Sequence, residues 1–361
     1  MTGSKGSKVF SLIVIVLTIA MVCVLAFSNE ELVNAGDALR SLRPGALLGC
    51  VLCFLGYAVF DGVGLFAFLR RQGYPIKLSS SIHLTFTGLY YANITPSSSG
   101  GQPMQVYLLN QRGVPVGVSS SALSVRLMAN QLMIVLMTVL MTAGLWVANG
   151  GFIQQQLGGV KGIVLLGLVI NGAAVPLLLA VTFFQNAVQK CGAWIVHLLA
   201  RWRWIKQEEK MLTKLTAILN NYHASVRLCL RQPEQLLLQL LLSGLQMLSL
   251  MCIPVCVYHA FGQSGTSDSE LLAVALMLFV SASYTPLPGA SGAQEGGFLL
   301  FYRGLFEGGT LRLALLVWRF FTYYLYLLVG IADTVITAIR RRRHPAERLE
   351  SVPVKGLVEE E

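Results

Sequence analysis

Apolar residues run through this chain in long blocks, and the blocks define its elements. Runs of about 20 apolar residues suffice to cross the hydrocarbon of a bilayer as a helix. Six such runs occur, at 9 to 27, 45 to 69, 118 to 147, 161 to 184, 235 to 260 and 310 to 339. Two further apolar stretches, 80 to 113 and 269 to 308, are each broken near the middle by Thr, Pro, Ser and Gly. Backbone of that kind survives at membrane depth only when it is buried in protein or lines a wet cavity, because lipid offers freed amides no partner. Both breaks therefore mark a candidate site.

The breaks resemble one another. Thr95-Pro-Ser-Ser-Ser-Gly-Gly-Gln102 and Thr285-Pro-Leu-Pro-Gly-Ala-Ser-Gly-Ala-Gln294 each open with Thr-Pro and close with Ser, Gly, a small residue and Gln. Read as re-entrant helix hairpins, they give span, hairpin, span twice over, at 45 to 147 and 235 to 339. The expected fold is an all-α polytopic membrane protein with six full spans and two re-entrant hairpins in an inverted repeat, the plan of many transporters.

Charge sets the orientation. Lys5 and Lys8, then Arg70, Arg71 and Lys77, then the segment from Lys190 to Arg231, and finally Arg340 to Arg343 all fall inside if both termini are cytoplasmic. The outer loops then hold chiefly Arg40, Arg43 and Lys161, in keeping with the positive-inside rule. On this topology the first hairpin dips from the cytoplasm and the second from outside. The run at 9 to 27 reads as a retained signal anchor, since it is too long for a signal h-region and lacks a small-x-small cleavage site. Between the halves, 185 to 234 is charged and helical in pattern, with Trp194, Trp202 and Trp204 among Arg201, Arg203 and Lys206. It suits a cytoplasmic helix in the headgroup layer, and a solvated linker is the alternative. Residues 341 to 361 read as a polar cytoplasmic tail.

Composition narrows the function classes. With 55% hydrophobic and 12% charged residues and a mean hydropathy of +0.64, the chain is no soluble enzyme. Its net charge of +10 comes from basic residues just beyond apolar runs, so it does not signal nucleic acid. The seven cysteines mostly sit in apolar helices and read as packing residues. No His, Cys, Asp and Glu cluster has metal-ligand spacing, and no cofactor is expected. Gly289-Ala-Ser-Gly292 fits the G-x-S-G of rhomboid-type serine proteases, but no histidine lies in 310 to 339 to serve as base. No catalytic residues are assigned.

Binding chemistry has better candidates. Arg126 follows Gln102 by 24 residues and Arg319 follows Gln294 by 25, so each hairpin precedes a span carrying one arginine. At a rise of about 1.5 Å per residue each sits roughly 12 Å inside its span, where a guanidinium can fork onto a phosphate. The pair is expected to face one cavity from opposite leaflets. Asp61, mid-span, could pair with Arg126, meet a cationic headgroup or carry a proton. Glu295 could contact an ammonium or a proton, or simply profit from the helix dipole. Thr95, Ser98, Ser99, Gly100, Gly101 and Gln102 offer hydroxyls and open amides suited to an anion, or small surfaces for close packing. Thr285, Gly289, Ser291, Gly292 and Gln294 are their counterparts.

At these motifs, Asn93-Ile-Thr-Pro-Ser-Ser-Ser-Gly-Gly-Gln-Pro-Met-Gln105 and Pro286-Leu-Pro-Gly-Ala-Ser-Gly-Ala-Gln-Glu-Gly-Gly297, the chain resembles the lysylphosphatidylglycerol synthase transmembrane-region family over about residues 10 to 340. This is the flippase module of the multiple peptide resistance factor and its stand-alone bacterial relatives. The resemblance implies movement of an anionic or aminoacylated phospholipid between leaflets of the bacterial cell membrane, linked to cationic antimicrobial peptide resistance. Members are commonly labelled phosphatidylglycerol lysyltransferase, but lysyl transfer belongs to a soluble domain after the membrane region. The chain ends about twenty residues past its last span, so such chemistry is expected to need a separate synthetase partner. Two other readings stay open: an accessory subunit docking a synthetase through 185 to 234, and an ion-coupled small-solute transporter.

Overall fold

A computed structural model describes residues 40, 42–201, 208–307 and 309–333. The run at 9 to 27, Trp202 to Lys206 of the central segment and the polar tail lie outside the described residues. The described chain is helical: α1 Pro44–Arg71, α2 Leu78–Asn93, α3 Gly101–Gln111, α4 Val116–Leu157, α5 Lys161–Phe183, α6 Gln185–Arg201, α7 Glu208–Leu230, α8 Pro233–Ala260, α9 Asp268–Ala282, α10 Ala293–Phe301 and α11 Leu311–Arg319. A π turn at Phe320–Tyr324 carries the last helix on to Asp333.

Four of these helices are long and apolar enough to cross a membrane: α1, α4, α8 and the helix from Leu311 to Asp333. α5 adds a shorter apolar stretch, Lys161–Leu177. Their exposed faces are greasy. Leu48, Leu52, Leu55 and Val59 form one exposed stripe along α1 at helical spacing, and Leu136, Val139 and Leu140 do so on α4. The interior, by contrast, holds Asp61, Gln105, Arg126, Gln239, Gln246, Glu295 and Arg319. Apolar outside with polar groups paired inside is the distribution lipid imposes on a folded chain.

Proline and glycine punctuate the helices as the sequence leads one to expect. Pro44 and Pro233 stand in the first turns of α1 and α8, and Gly73, at φ +84°, follows the end of α1. α4, expected over 118 to 147, runs to Leu157 because Asn149 absorbs the break within it. At φ −145° and ψ 68°, Asn149 leaves the helix conformation, accepts from the Phe152 N–H and donates to Glu270.

α1 and α8 form the central antiparallel pair. The Arg43 N–H donates to the Ala260 carbonyl at 3.0 Å at one end, and Arg71 meets Glu234 at 2.6 Å at the other. About two turns in from the Arg71 end, Gln239 donates to the Gly64 carbonyl. The larger apolar core joins parts of α1, α4, α8, α9, α10 and α11, where Phe298 stacks on Trp318 at 4.8 Å and on Tyr302 at 4.4 Å. A second cluster gathers α1, α2, α3, α4 and α7 near the Arg71 end. There α7 docks on α4 through a Ser121–Ser225 hydrogen bond, and Gln72 donates to the Ser225 carbonyl.

Each broken stretch folds back on itself as a helix hairpin. α2 and α3 pair antiparallel, Gln105 donating to the Leu84 carbonyl while the Cβ-free face of Gly101 lies against the Gly88 carbonyl. α9 and α10 do the same, with Tyr302 reaching the Leu271 carbonyl and Gly297 set against Leu278. α2 starts just past the Arg71 end of the α1–α8 pair, and α9 starts just past its Ala260 end. The two tips meet.

Candidate functional site

The tips share an uncommon backbone. Pro96–Ser98 and Pro288–Ala290 are single 3-10 turns, and in each the two residues after proline have left-handed φ: Ser97 and Ser98 at +50° and +54°, Gly289 and Ala290 at +59° and +50°. α3 then begins at Gly101 and α10 at Ala293. The structural match is therefore Pro96 with Pro288, whereas the Thr-Pro likeness suggests Pro96 with Pro286. The Gln102–Gln294 match stands. The tips touch through the Ser97 N–H, which donates to the Pro286 carbonyl at 3.2 Å.

Most of the small polar tip residues build the turns. The Thr95 hydroxyl donates to the Tyr91 carbonyl at 2.7 Å and accepts from the Gly100 N–H at 2.8 Å, sealing the end of α2. The Ser291 hydroxyl is turned onto the Pro288 carbonyl. Gly289 sits where an added Cβ would come within 2.2 Å of the Tyr323 ring, besides requiring left-handed backbone. Gln102 and Ser99 are exposed, and Thr285 and Gly292 are half-buried.

The four charged candidates form two buried ion pairs. Arg126 on α4 pairs with Asp61 on α1, and the second carboxylate oxygen of Asp61 accepts from Thr85 on α2 at 2.6 Å. On the other side, Arg319 reaches Glu295 through Nε at 2.7 Å and Nη2 at 2.6 Å, and Nη2 also donates to the Gly289 carbonyl at 3.1 Å. Glu295 spends its other oxygen on the Gly292 N–H at 2.6 Å, closing the first turn of α10 as a capping carboxylate does. Arg319 also stands over the Trp318 and Tyr323 rings, at 5.5 and 5.3 Å from their centroids. The partners come from different places: an adjacent span for the first arginine, the preceding hairpin for the second. The Gln102-to-Arg126 and Gln294-to-Arg319 spacing carries no trace of that difference.

A cavity of about 400 Å³ lies between the tips and the long helices. Ser98, Gly289, Gln294 and Arg319 line it, with Asn93, Asn130, Gln131 and Thr322 as further polar groups. Arg126 does not. Its guanidinium is drawn to Asp61 and Thr85, so the expectation that both arginines face one cavity holds for Arg319 alone. Arg126 nevertheless lies one turn from the cavity residue Asn130, and Arg126 Nη1 and Asn130 Oδ1 are buried without hydrogen-bond partners among the described residues. Tyr57, one turn before Asp61, and Tyr326 complete that wall. Asn130, Gln131 and Tyr57 were not singled out from sequence; Asn130 was legible as the residue one turn after Arg126 on the same face. Among the described residues no cluster of His, Cys, Asp and Glu is arranged to hold a metal ion.

Comparison with known proteins places the chain. Residues 9–330 match the family described as lysylphosphatidylglycerol synthase TM region. The chain belongs to this family. A relative described as a UPF0104 membrane protein, from Archaeoglobus fulgidus, is 24% identical over 276 residues, covering 75% of this chain and 80% of the relative. No solved structure matches. Family membership and the apolar helices together make this a multi-pass membrane protein of the lysylphosphatidylglycerol synthase TM-region family.

Proposed function

We propose that this member of the lysylphosphatidylglycerol synthase TM-region family is a lipid translocase that moves an anionic or aminoacylated phospholipid headgroup between leaflets. The observation that carries the reading is Arg319 on the wall of a cavity bounded by the touching hairpin tips, with its partner Glu295 buried behind it. A cavity of about 400 Å³ falls within the usual range for a small ligand. A guanidinium on that wall suits the phosphate of a headgroup, and Asn93, Asn130, Gln131 and Gln294 add hydrogen-bonding groups around it. Lysylphosphatidylglycerol carries such a phosphate.

The route follows from exposure. Ser98 both lines the cavity and is exposed, and Tyr284 and Leu287 beside the second tip are 37% and 53% exposed. A headgroup passing there keeps its acyl tails against apolar side chains. The matched tips, entered from opposite ends of the α1–α8 pair, support reading the chain as two inverted repeats with re-entrant hairpins, which rock to expose the cavity to one side and then the other. Arg126, held by Asp61 in this state, then serves as the second phosphate ligand after that movement.

The test is a leaflet-resolved lipid assay in cells lacking the gene. Cargo is expected to stay in the inner leaflet, and return of the wild-type gene but not of Arg319→Gln is expected to restore it. Normal sidedness of every anionic and aminoacyl lipid in the deleted strain would defeat the reading.

A further inference from the structure

Four thiols meet at the crossing of α1 and α8. Cys50 and Cys53 on α1 face Cys252 and Cys256 on α8, and all four are free. The side chain of Cys53 interacts with those of Cys252 and Cys256, and Cys50 with Cys256. Cys50 is fully buried and its thiol is turned onto the Ile253 carbonyl, 3.9 Å away, whereas Cys53, Cys252 and Cys256 are half-buried.

The helix register selects one pair. Gly49 lies against Cys256, with 3.0 Å from an added Cβ to the sulfur, and Gly56 lies against Ser249, with 2.9 Å to its oxygen. These glycines sit one turn to either side of Cys53, so Cys53 stands opposite the stretch between Ser249 and Cys256, where Cys252 is. Small residues at such a crossing let backbones approach closely, and a disulfide needs a Cα separation of about 4.4–6.8 Å. Cys53 and Cys252 lie roughly 12 to 15 Å along their helices from Arg43 and Ala260, at about 1.5 Å per residue. Both are half-buried, which leaves them open to a small apolar reagent.

We propose that Cys53 and Cys252 are an oxidation site, forming a reversible disulfide that staples α1 to α8. The oxidant is a disulfide donor. The thiolate of one cysteine attacks the donor's S–S bond, releasing one thiol and leaving a mixed disulfide. The second cysteine then attacks that bond, releasing the second thiol and closing Cys53 to Cys252. Two protein thiols lose two electrons and two protons, and the donor becomes two thiols. The bond joins the first long helix of one hairpin unit to that of the other, so it arrests any sliding along their seam. The site does not depend on what the cavity carries.

The test treats the purified full chain, carrying Cys191→Ala because that exposed thiol would take up the reagent by itself, in lipid nanodiscs with 4,4′-dithiodipyridine, a small membrane-permeant disulfide, and follows it by intact mass, free-thiol labelling after denaturation, and peptide mapping. The expected result is a mass lower by two hydrogens, two fewer labelled thiols and a linked peptide pair containing Cys53 and Cys252. Dithiothreitol should reverse all three. Adding Cys53→Ala or Cys252→Ala should each abolish the loss. If a substituted chain does not fold, the linked peptide in the wild type, which a mixed disulfide on Cys191 does not disturb, decides. Unchanged labelling, stable mixed disulfides at Cys53 or Cys252, a loss surviving Cys53→Ala, or a linked pair lacking either residue would each overturn the assignment.

Discussion

The backbone N–H of Ser97 donates to the carbonyl of Pro286, joining the tips of two helix hairpins separated by nearly two hundred residues of chain. Both tips carry paired left-handed residues directly after a proline, a conformation that costs an L-residue roughly 1–2 kcal/mol. The strain is concentrated where the hairpins meet and the cavity begins.

That contact makes a cross-linking prediction. With the native cysteines replaced, Ser97→Cys together with Pro286→Cys should form a disulfide under mild oxidation, read as a shift in gel mobility after cleavage between the hairpins. If the tips separate during translocation, the cross-linked protein should also lose lipid transport until it is reduced.

Arg319→Gln leaves Glu295 buried beside one remaining N–H partner. Breaking a buried pair typically costs about 3–5 kcal/mol, so the thermal midpoint in detergent should fall clearly. Arg319→Gln combined with Glu295→Gln should recover a good part of that loss without recovering transport. Equal midpoints for the single and double variants would mean that the two side chains are not coupled.

Thr85→Val removes one hydrogen bond to Asp61 and leaves its pairing with Arg126 in place. A loss of about 1–3 kcal/mol is expected, since a buried carboxylate oxygen goes unsatisfied. Asp61→Asn should cost more, because it also strips Arg126 of its counter-charge.

Gly289→Ala meets two penalties at once, the left-handed backbone and the 2.2 Å approach to the Tyr323 ring. Adding Tyr323→Leu should relieve the clash and leave the roughly 1–2 kcal/mol of backbone strain. The thermal midpoints of the two variants separate these contributions.

Arg71→Gln supplies the contrast. Arg71 and Glu234 meet at 2.6 Å, yet their side chains are 41% and 59% exposed. Exposed pairs contribute little, so its midpoint should stay near that of the wild type and lose what difference it has at high salt.

Much of this was legible locally. The apolar runs at 45 to 69 and 235 to 260 became α1 and α8, and that from 310 became the last long helix as far as the described Asp333, because a run of that length leaves a chain in lipid few other ways to satisfy its amides. The two broken stretches were equally plain, since Thr-Pro and Ser-Gly clusters interrupt helix hydrogen bonding wherever they occur. The tip register was harder. Pro286 and Pro288 are both present, and only the folded backbone, left-handed at Gly289 and Ala290, shows which one starts the turn.

Residue order alone determined that this protein lives in a membrane, which segments are long and apolar enough to cross it and which are broken, and that Asp61, Arg126, Glu295 and Arg319 are charges needing partners. Those are consequences of local composition acting on each segment separately. Tertiary structure alone decided the pairings, Arg126 with a neighbouring span and Arg319 with its own hairpin, and left only Arg319 of the four on the cavity wall. Ion pairing depends on which helices approach within a few ångströms, and that is set by the packing of small residues across the whole bundle rather than by any spacing along one strand of sequence.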